Sequence, residues 1–142
     1  MKASKLWCAL SAKLAAEEPQ LGQWSRWRRF PDPRLGGVLV APIGMGIYEL
    51  RLHDSSEMLL FEPHGKLAYR MTALLPPPLG KGYPHNNIVL RDFILTHIEQ
   101  IEYRTIAFED IQKLIQFARK LKSEVYYKFW VWNPNYSAKN RT

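Results

Sequence analysis

The segment from Gly46 to Phe61 constrains the fold more than any other. Ile47, Tyr48, Leu50 and Leu52 give one stretch with a mainly apolar face, and residues 58–61 (MLLF) give a second. A short polar run, His53 to Glu57 (HDSSE), lies between them. Two extended apolar runs joined by a polar turn predict a hairpin of two strands. Glycines at 44 and 46 lead into it, and glycine lets a backbone bend or approach another chain closely. Tyr48 follows at once, either as ordinary strand packing or as a placed phenol.

The flanking chain alternates helical and extended patterns. Leu67, Met71, Leu74 and Leu75 have helical spacing within 65–75, and Pro76-Pro77-Pro78 ends that helix. Residues 79–87 (LGKGYPHNN) are a Gly/Pro/Asn loop. Residues 87–100 predict a second amphipathic helix, with Val89, Leu90, Phe93, Ile94 and Ile98 on one side and Asn86 or Asn87 as its cap. Residues 101–108 (IEYRTIAF) alternate and predict a third strand. A helix over 109–123 follows, with Leu114, Phe117, Ala118 and Leu121 inside. Glu109 and Asp110 suit its N-terminal dipole, and Lys120 and Lys122 its C-terminal end. From Val125 the sequence VYYKFWVWNPNY is aromatic and strand-like, and a basic tail follows.

At the N-terminus, Leu6, Leu10 and Leu14 recur every four residues. Residues 1–16 therefore predict an amphipathic helix rather than a signal peptide, since Lys13 interrupts the apolar run. No stretch is long enough to span a membrane. The expected architecture is α+β: a small central three-stranded antiparallel sheet flanked by helices, in a single domain over 1–142. Residues 1–40 form an N-terminal helix and a Trp/Arg-rich arm, about 41–133 the core, and 134–142 a basic tail.

Charge narrows the partners. A net charge of +7 and a pI near 9.6 point to a polyanion, most simply nucleic acid, with a merely solvated basic surface as the plainer account. The one cysteine, Cys8, excludes an internal disulfide and a cysteine-based metal cluster, and fits a reducing cytoplasm. In QWSRWRRFPDPR, Trp24, Trp27 and Phe30 interleave with Arg26, Arg28 and Arg29. Such interleaving can stack bases and hold phosphates. Packing of the tryptophans onto the core, with the arginines solvated, is the favoured account.

The four histidines (His53, His64, His85, His97) lack metal-ligand spacing, and HExxH, Walker A, CxxC and GxSxG are all missing from the sequence. One constellation remains. Gly46-Ile47-Tyr48 and Leu60-Phe61-Glu62 sit on paired strands, and Arg70 lies on the next helix. A hydroxyl on a strand and an arginine on the following helix can face one pocket. Phosphoryl chemistry needs such parts: a group that orients or deprotonates water, and a cation that grips phosphate at two points.

In these residues, and in the order of strands and helices from about 40 to 130, the chain resembles the GIY-YIG nuclease family. The stretches AYRMTALLP and IEYRT, and the paired asparagines between them, add to the likeness. The resemblance implies a metal-dependent endonuclease that cleaves nucleic-acid phosphodiester bonds, with DNA favoured over RNA as the substrate and Mg²⁺ or Mn²⁺ as the metal. Restriction, phage defence, mobility and repair are all compatible roles. It implies that Tyr48 is the general base or water orienter and that Arg70 steadies the scissile phosphate.

Two departures stand out. The second element reads Leu-Phe-Glu, so its tyrosine has become Leu60, with Tyr69 as a possible substitute. The metal-binding glutamate expected on the late helix is replaced at FARKL, residues 117–121, by Ala118, which has no ligand atom. Either the chain is a degenerate homologue that binds without cutting, or it is an engineered Glu-to-Ala form, the account we favour on sequence. Asn133 corresponds to the family's terminal asparagine or serves the turn before Pro134. Lys66, Lys81, His85, Asn86, Asn87, Arg91 and Arg104 are candidates for a phosphate-binding surface. The alternatives to an endonuclease are a non-catalytic nucleic-acid binding module and, more weakly, a protein-interaction domain with an exposed Trp/Tyr surface.

Overall fold

The computed structural model describes residues 21–76 and 88–132. The helix expected over 1–16, the 79–87 loop with Lys81, His85, Asn86 and Asn87, and Asn133 with the basic tail lie outside the described residues. The described residues form one antiparallel sheet of four strands: β1 (Arg28–Arg29), β2 (Gly46–Leu52), β3 (Met58–His64) and β4 (Ile101–Ala107), in the order β1-β4-β2-β3. Three α-helices accompany it: α1 (Leu67–Thr72), α2 (Ile88–Thr96) and α3 (Ile111–Glu124). The α+β class holds. The expected strand count is corrected from three to four, because β1 adds itself to the outer edge of β4 through Arg28↔Tyr103 and Arg29↔Glu102.

The hairpin forms as its alternation dictates. Tyr48 faces Glu62 across β2 and β3, and Leu50 faces Leu60. Ser56 takes a left-handed conformation (φ 58°) in the turn, where its N–H donates to the Leu52 carbonyl at 2.9 Å. The register shifts between Leu50 and Arg51, where Arg51 pairs with Met58 and Leu59 is the extra residue. The bulge lets Leu59 and Leu60 both join one apolar cluster.

Gly46 is required by close approach. A Cβ there would lie 2.5 Å from the Ile106 carbonyl oxygen and 3.1 Å from Leu67 Cδ2. Gly44 has open space where its Cβ would be. The same segment caps α1: the Leu67 and Ala68 N–H groups donate to the carbonyls of Gly44 (3.0 Å) and Pro42 (2.9 Å). The first-turn amides of α1, which no side chain caps, thus find partners in the chain leading into β2. This join fixes α1, and with it Arg70, against the start of the hairpin.

Successive strand residues point to opposite faces, and the core divides accordingly. One cluster gathers Tyr48, Leu50, Leu60, Leu67, Met71, Leu90 and Ile94 under α1 and α2. The other gathers Ile47, Phe61, Ile106, Leu114, Ala118, Leu121 and Tyr127 under α3. Asp110 caps α3 by accepting from the Gln112 N–H at 2.8 Å. Residues 125–132 are not a strand. They run past β3 and make two backbone bonds to it, from Lys128 N–H to Met58 O (3.0 Å) and from Phe129 N–H to Leu59 O (2.8 Å).

Candidate functional site

The site grows from the register of β2 and β3. Tyr48 and Glu62 stand opposite each other, so their side chains share a face. The Tyr48 hydroxyl donates to Glu62 Oε1 at 2.9 Å. Arg70 reaches the same carboxylate from α1, with Nη2 2.8 Å from Oε2 and Nε 3.0 Å from Oε1. Tyr48 is fully buried, and the side chains of Glu62 and Arg70 are 8% and 17% exposed. The sequence-derived partners Tyr48 and Arg70 are brought together, and Glu62 lies between them.

That carboxylate determines what the site can do. Burial, and then the nearby Glu62 charge, push the Tyr48 phenol well above its ordinary pKa. The phenol therefore keeps its proton and donates it to Glu62; it is not a base in this arrangement. Arg70 engages Glu62 in the two-point geometry that the resemblance assigns to a phosphate.

The remaining candidates separate. Tyr69 is 69% exposed on α1 and faces solvent, and its carbonyl accepts from the Thr72 hydroxyl. Ala118 is buried in the α3 cluster with Ile47, Phe61 and Ile106, on the face of the sheet opposite Tyr48. Its expected place on the inner face of the helix, with Leu114 and Leu121, holds, and that face covers an apolar layer on the other side of β2 from Tyr48. Arg91 donates to the carbonyls of Ala73 (2.7 Å) and Leu75 (3.3 Å) and so closes the end of α1. Lys66 is exposed at the N-terminus of α1, where its backbone N–H donates to His64 Nδ1 at 3.0 Å.

Arg104 belongs to a second arrangement on the α3 side. Its Nε donates to the buried Glu49 at 2.7 Å, and Glu49 also accepts a short bond from the Tyr127 hydroxyl. Burial and that bond raise the Tyr127 phenol above its ordinary pKa. The Arg104 guanidinium lies 4.2 Å from the Trp24 ring centre and 4.6 Å from that of Trp27, while Arg51 lies 4.0 Å from Trp27. Burial would raise Glu102, but its bonds to Arg51 and His53 outweigh this and hold it below the ordinary range. The tryptophans thus pack onto the domain, as expected, but through cationic side chains as well as apolar ones. Trp24 also meets the edge of Phe117 on α3. Sequence reasoning missed Glu49 and Glu62 as hubs. Their interior positions in apolar strands were the available clue, since a buried carboxylate must be partnered.

The residues assigned to a divalent metal do not fit one. Ala118 offers only a methyl group, and the Glu62 oxygens are held by Tyr48 and Arg70. Among the described residues, no group of three His, Cys, Asp or Glu side chains could hold a metal ion, and no helix is long and apolar enough to cross a membrane. Neither the family models, nor the curated proteins, nor the solved structures include a match to this chain.

Proposed function

We propose that this chain is a nucleic-acid binding module on a GIY-YIG-like core whose catalytic pair is closed on an internal carboxylate. The observation that carries this reading is Glu62, which holds the Tyr48 proton and grips Arg70 at two points. Glu62 stands where the resemblance expects the glycine of the second element. The basic net charge supports a polyanionic partner, with DNA favoured. Affinity then comes from phosphate contacts, and no bond in the nucleic acid is broken.

The second reading, a metal-dependent endonuclease, is favoured by one observation: Tyr48 and Arg70 converge on a single group, the Glu62 carboxylate. The two readings part in one experiment. End-labelled single- and double-stranded DNA and RNA are incubated with the protein in Mg²⁺ or Mn²⁺ and resolved on a denaturing gel, with retardation at low salt followed in parallel. The module reading predicts retardation with full-length strands recovered. Cleavage products would sink it in favour of the endonuclease, and loss of both retardation and cleavage would sink both.

A further inference from the structure

The outer face of α3 and the segment that follows it carry groups that the Tyr48–Arg70 cluster does not use. Between Ile111 and Trp130 stand five cations, Lys113, Arg119, Lys120, Lys122 and Lys128, and one carboxylate, Glu124. All six are exposed. Among the described residues, none of the five cations enters an ion pair. Arg119 and Lys122 are three residues apart, and so neighbours on the helix surface. Glu124 follows Lys122 by two residues, which places it about 200° round the helix from that lysine.

The second feature is Trp130. Of the described tryptophans it alone is exposed, with 48% of its surface open. Trp24 and Trp27, by contrast, are covered by guanidiniums at 4.0 to 4.6 Å. Trp130 is nonetheless held in place. Its ring meets Tyr127 nearly at right angles, with centres 5.9 Å apart, and Tyr127 is buried and bonded to Glu49. The Lys128 and Phe129 N–H groups tie the same segment to β3. Lys122 Nζ lies 5.7 Å from the Trp130 ring centre, near the ~6 Å limit of a cation–π contact. This long contact keeps an ammonium next to an indole that is half open.

Cations beside an open aromatic ring are the parts that grip a single strand: the ring stacks on a base and the cations take phosphates. In a duplex the base faces are covered by their neighbours in the stack, and the ring finds no partner. Resting on the proposed nucleic-acid binding, we infer that this face binds single-stranded nucleic acid, with a base stacked on Trp130 and the adjoining phosphates on Arg119 and Lys122. Phosphates supply the salt-dependent part of the affinity, and Trp130 sets the preference for unpaired bases. α3 covers the side of the sheet that carries Ile47 and Phe61, whereas Tyr48 belongs to the other side. A strand bound here leaves the Tyr48–Glu62–Arg70 cluster closed.

The test is fluorescence anisotropy of labelled oligothymidylate and of a duplex of equal length, titrated across a range of salt, with labelled polyglutamate as a third probe. The full chain is compared with Trp130→Ala, Trp130→Phe and Arg119→Gln/Lys122→Gln. Wild type should bind the single strand more tightly than the duplex. Trp130→Ala should weaken single-strand binding by about fivefold or more, with an unchanged salt slope and with duplex binding within about twofold of wild type. Trp130→Phe should restore binding, because a phenyl ring also stacks, while oligothymidylate should quench less of the tryptophan emission than in wild type. Arg119→Gln/Lys122→Gln, at exposed positions, should keep the melting temperature and make the slope of log K against log salt shallower by ~1.4, two contacts at ~0.7 each on a single strand. Should Trp130→Ala fail to fold, the Trp130→Phe emission and the double variant decide. Wild-type single-strand binding that none of the variants alters overturns this surface and leaves the binding module standing. Equal losses on single strand and duplex in Trp130→Ala overturn the stack. Polyglutamate bound as tightly as oligothymidylate, and through the same residues, overturns the strand as occupant in favour of an acidic protein. Absence of salt-dependent binding in the wild type overturns both the surface and the module.

Discussion

Arg70 closes on Glu62 at two points, with Nη2 2.8 Å from Oε2 and Nε 3.0 Å from Oε1. The contact joins α1 to β3, and Tyr48 extends it to β2 through the same carboxylate. A charge this buried is tolerable only when it is paired and hydrogen-bonded. The cluster is therefore both a packing device and the reason the Tyr48 phenol stays protonated.

Glu62→Gln deprives the half-buried Arg70 guanidinium of this counter-charge. It should destabilise the domain by about 3 kcal/mol in urea unfolding. Tyr48→Phe removes one bond to the carboxylate and should cost ~1–3 kcal/mol. The double variant should fall short of the sum, because both changes act on one network. Strict additivity would show that the cluster does not act as a unit.

Gly46→Ala forces a methyl to within 2.5 Å of the Ile106 carbonyl oxygen, a backbone atom that cannot rotate away. The strain should cost ~1–3 kcal/mol, as overpacking does. Gly44→Ala, into open space, should stay within about 0.5 kcal/mol of wild type. Thermal unfolding of the two single variants separates close approach from turn flexibility as the reason for glycine here.

The hairpin and the α3 helix were legible in the sequence because their patterns are local. Alternation marks 46–52, and the spacing of Leu114, Ala118 and Leu121 marks one helical face. β1 was not legible: two arginines carry no alternation, and their pairing is with distant Tyr103 and Glu102. Residues 125–132 have strand-like composition, yet only two backbone bonds tie them to β3. The Tyr48–Glu62 pairing was within reach, since both residues lie equally far from Ser55 in the turn. The face of the sheet that α3 covers follows from packing alone. That placement, not the helix phase, separates Ala118 from Tyr48.

Ala118→Glu tests that separation. A carboxylate among Ile47, Phe61 and Ile106 should destabilise the fold by several kcal/mol, of the order of ~3. Burial would raise its folded pKa above the unfolded value near 4.3. Relative to the ionised state, the protonated form is the better tolerated, so the penalty should shrink as pH falls toward and below about 4.3. Urea unfolding of wild type and variant at neutral and acid pH checks this. Nuclease activity in a stable Ala118→Glu protein would return the residue to a catalytic role.

Tyr48 and Tyr127 both have folded pKa values above their ordinary one. Unfolded tyrosine titrates near 10. Their contribution to stability is therefore fully present below about pH 10 and is lost as pH rises toward the folded values. Tyr127→Phe should be less stable than wild type at neutral pH, and the gap should narrow above about pH 10. Unfolding free energies measured across that range decide it. A gap that widens with pH has the wrong sign.

Arg104 ties Glu49 to two tryptophans. Arg104→Met should leave Glu49 with only the Tyr127 bond among those described, cost about 3 kcal/mol, and change the tryptophan emission. Arg104→Lys should rescue charge but not the planar stack, and so recover stability only in part.

The central claim is that this basic domain binds nucleic acid by its phosphates while its Tyr48–Arg70 pair stays closed on Glu62. Its most direct test is the equilibrium affinity of the wild-type chain for a labelled single strand, measured as salt is raised. A linear fall of log K with log salt, with a slope of about −2 or steeper and with the strand recovered intact, is the predicted result. A flat dependence, or no binding at low salt, contradicts the account.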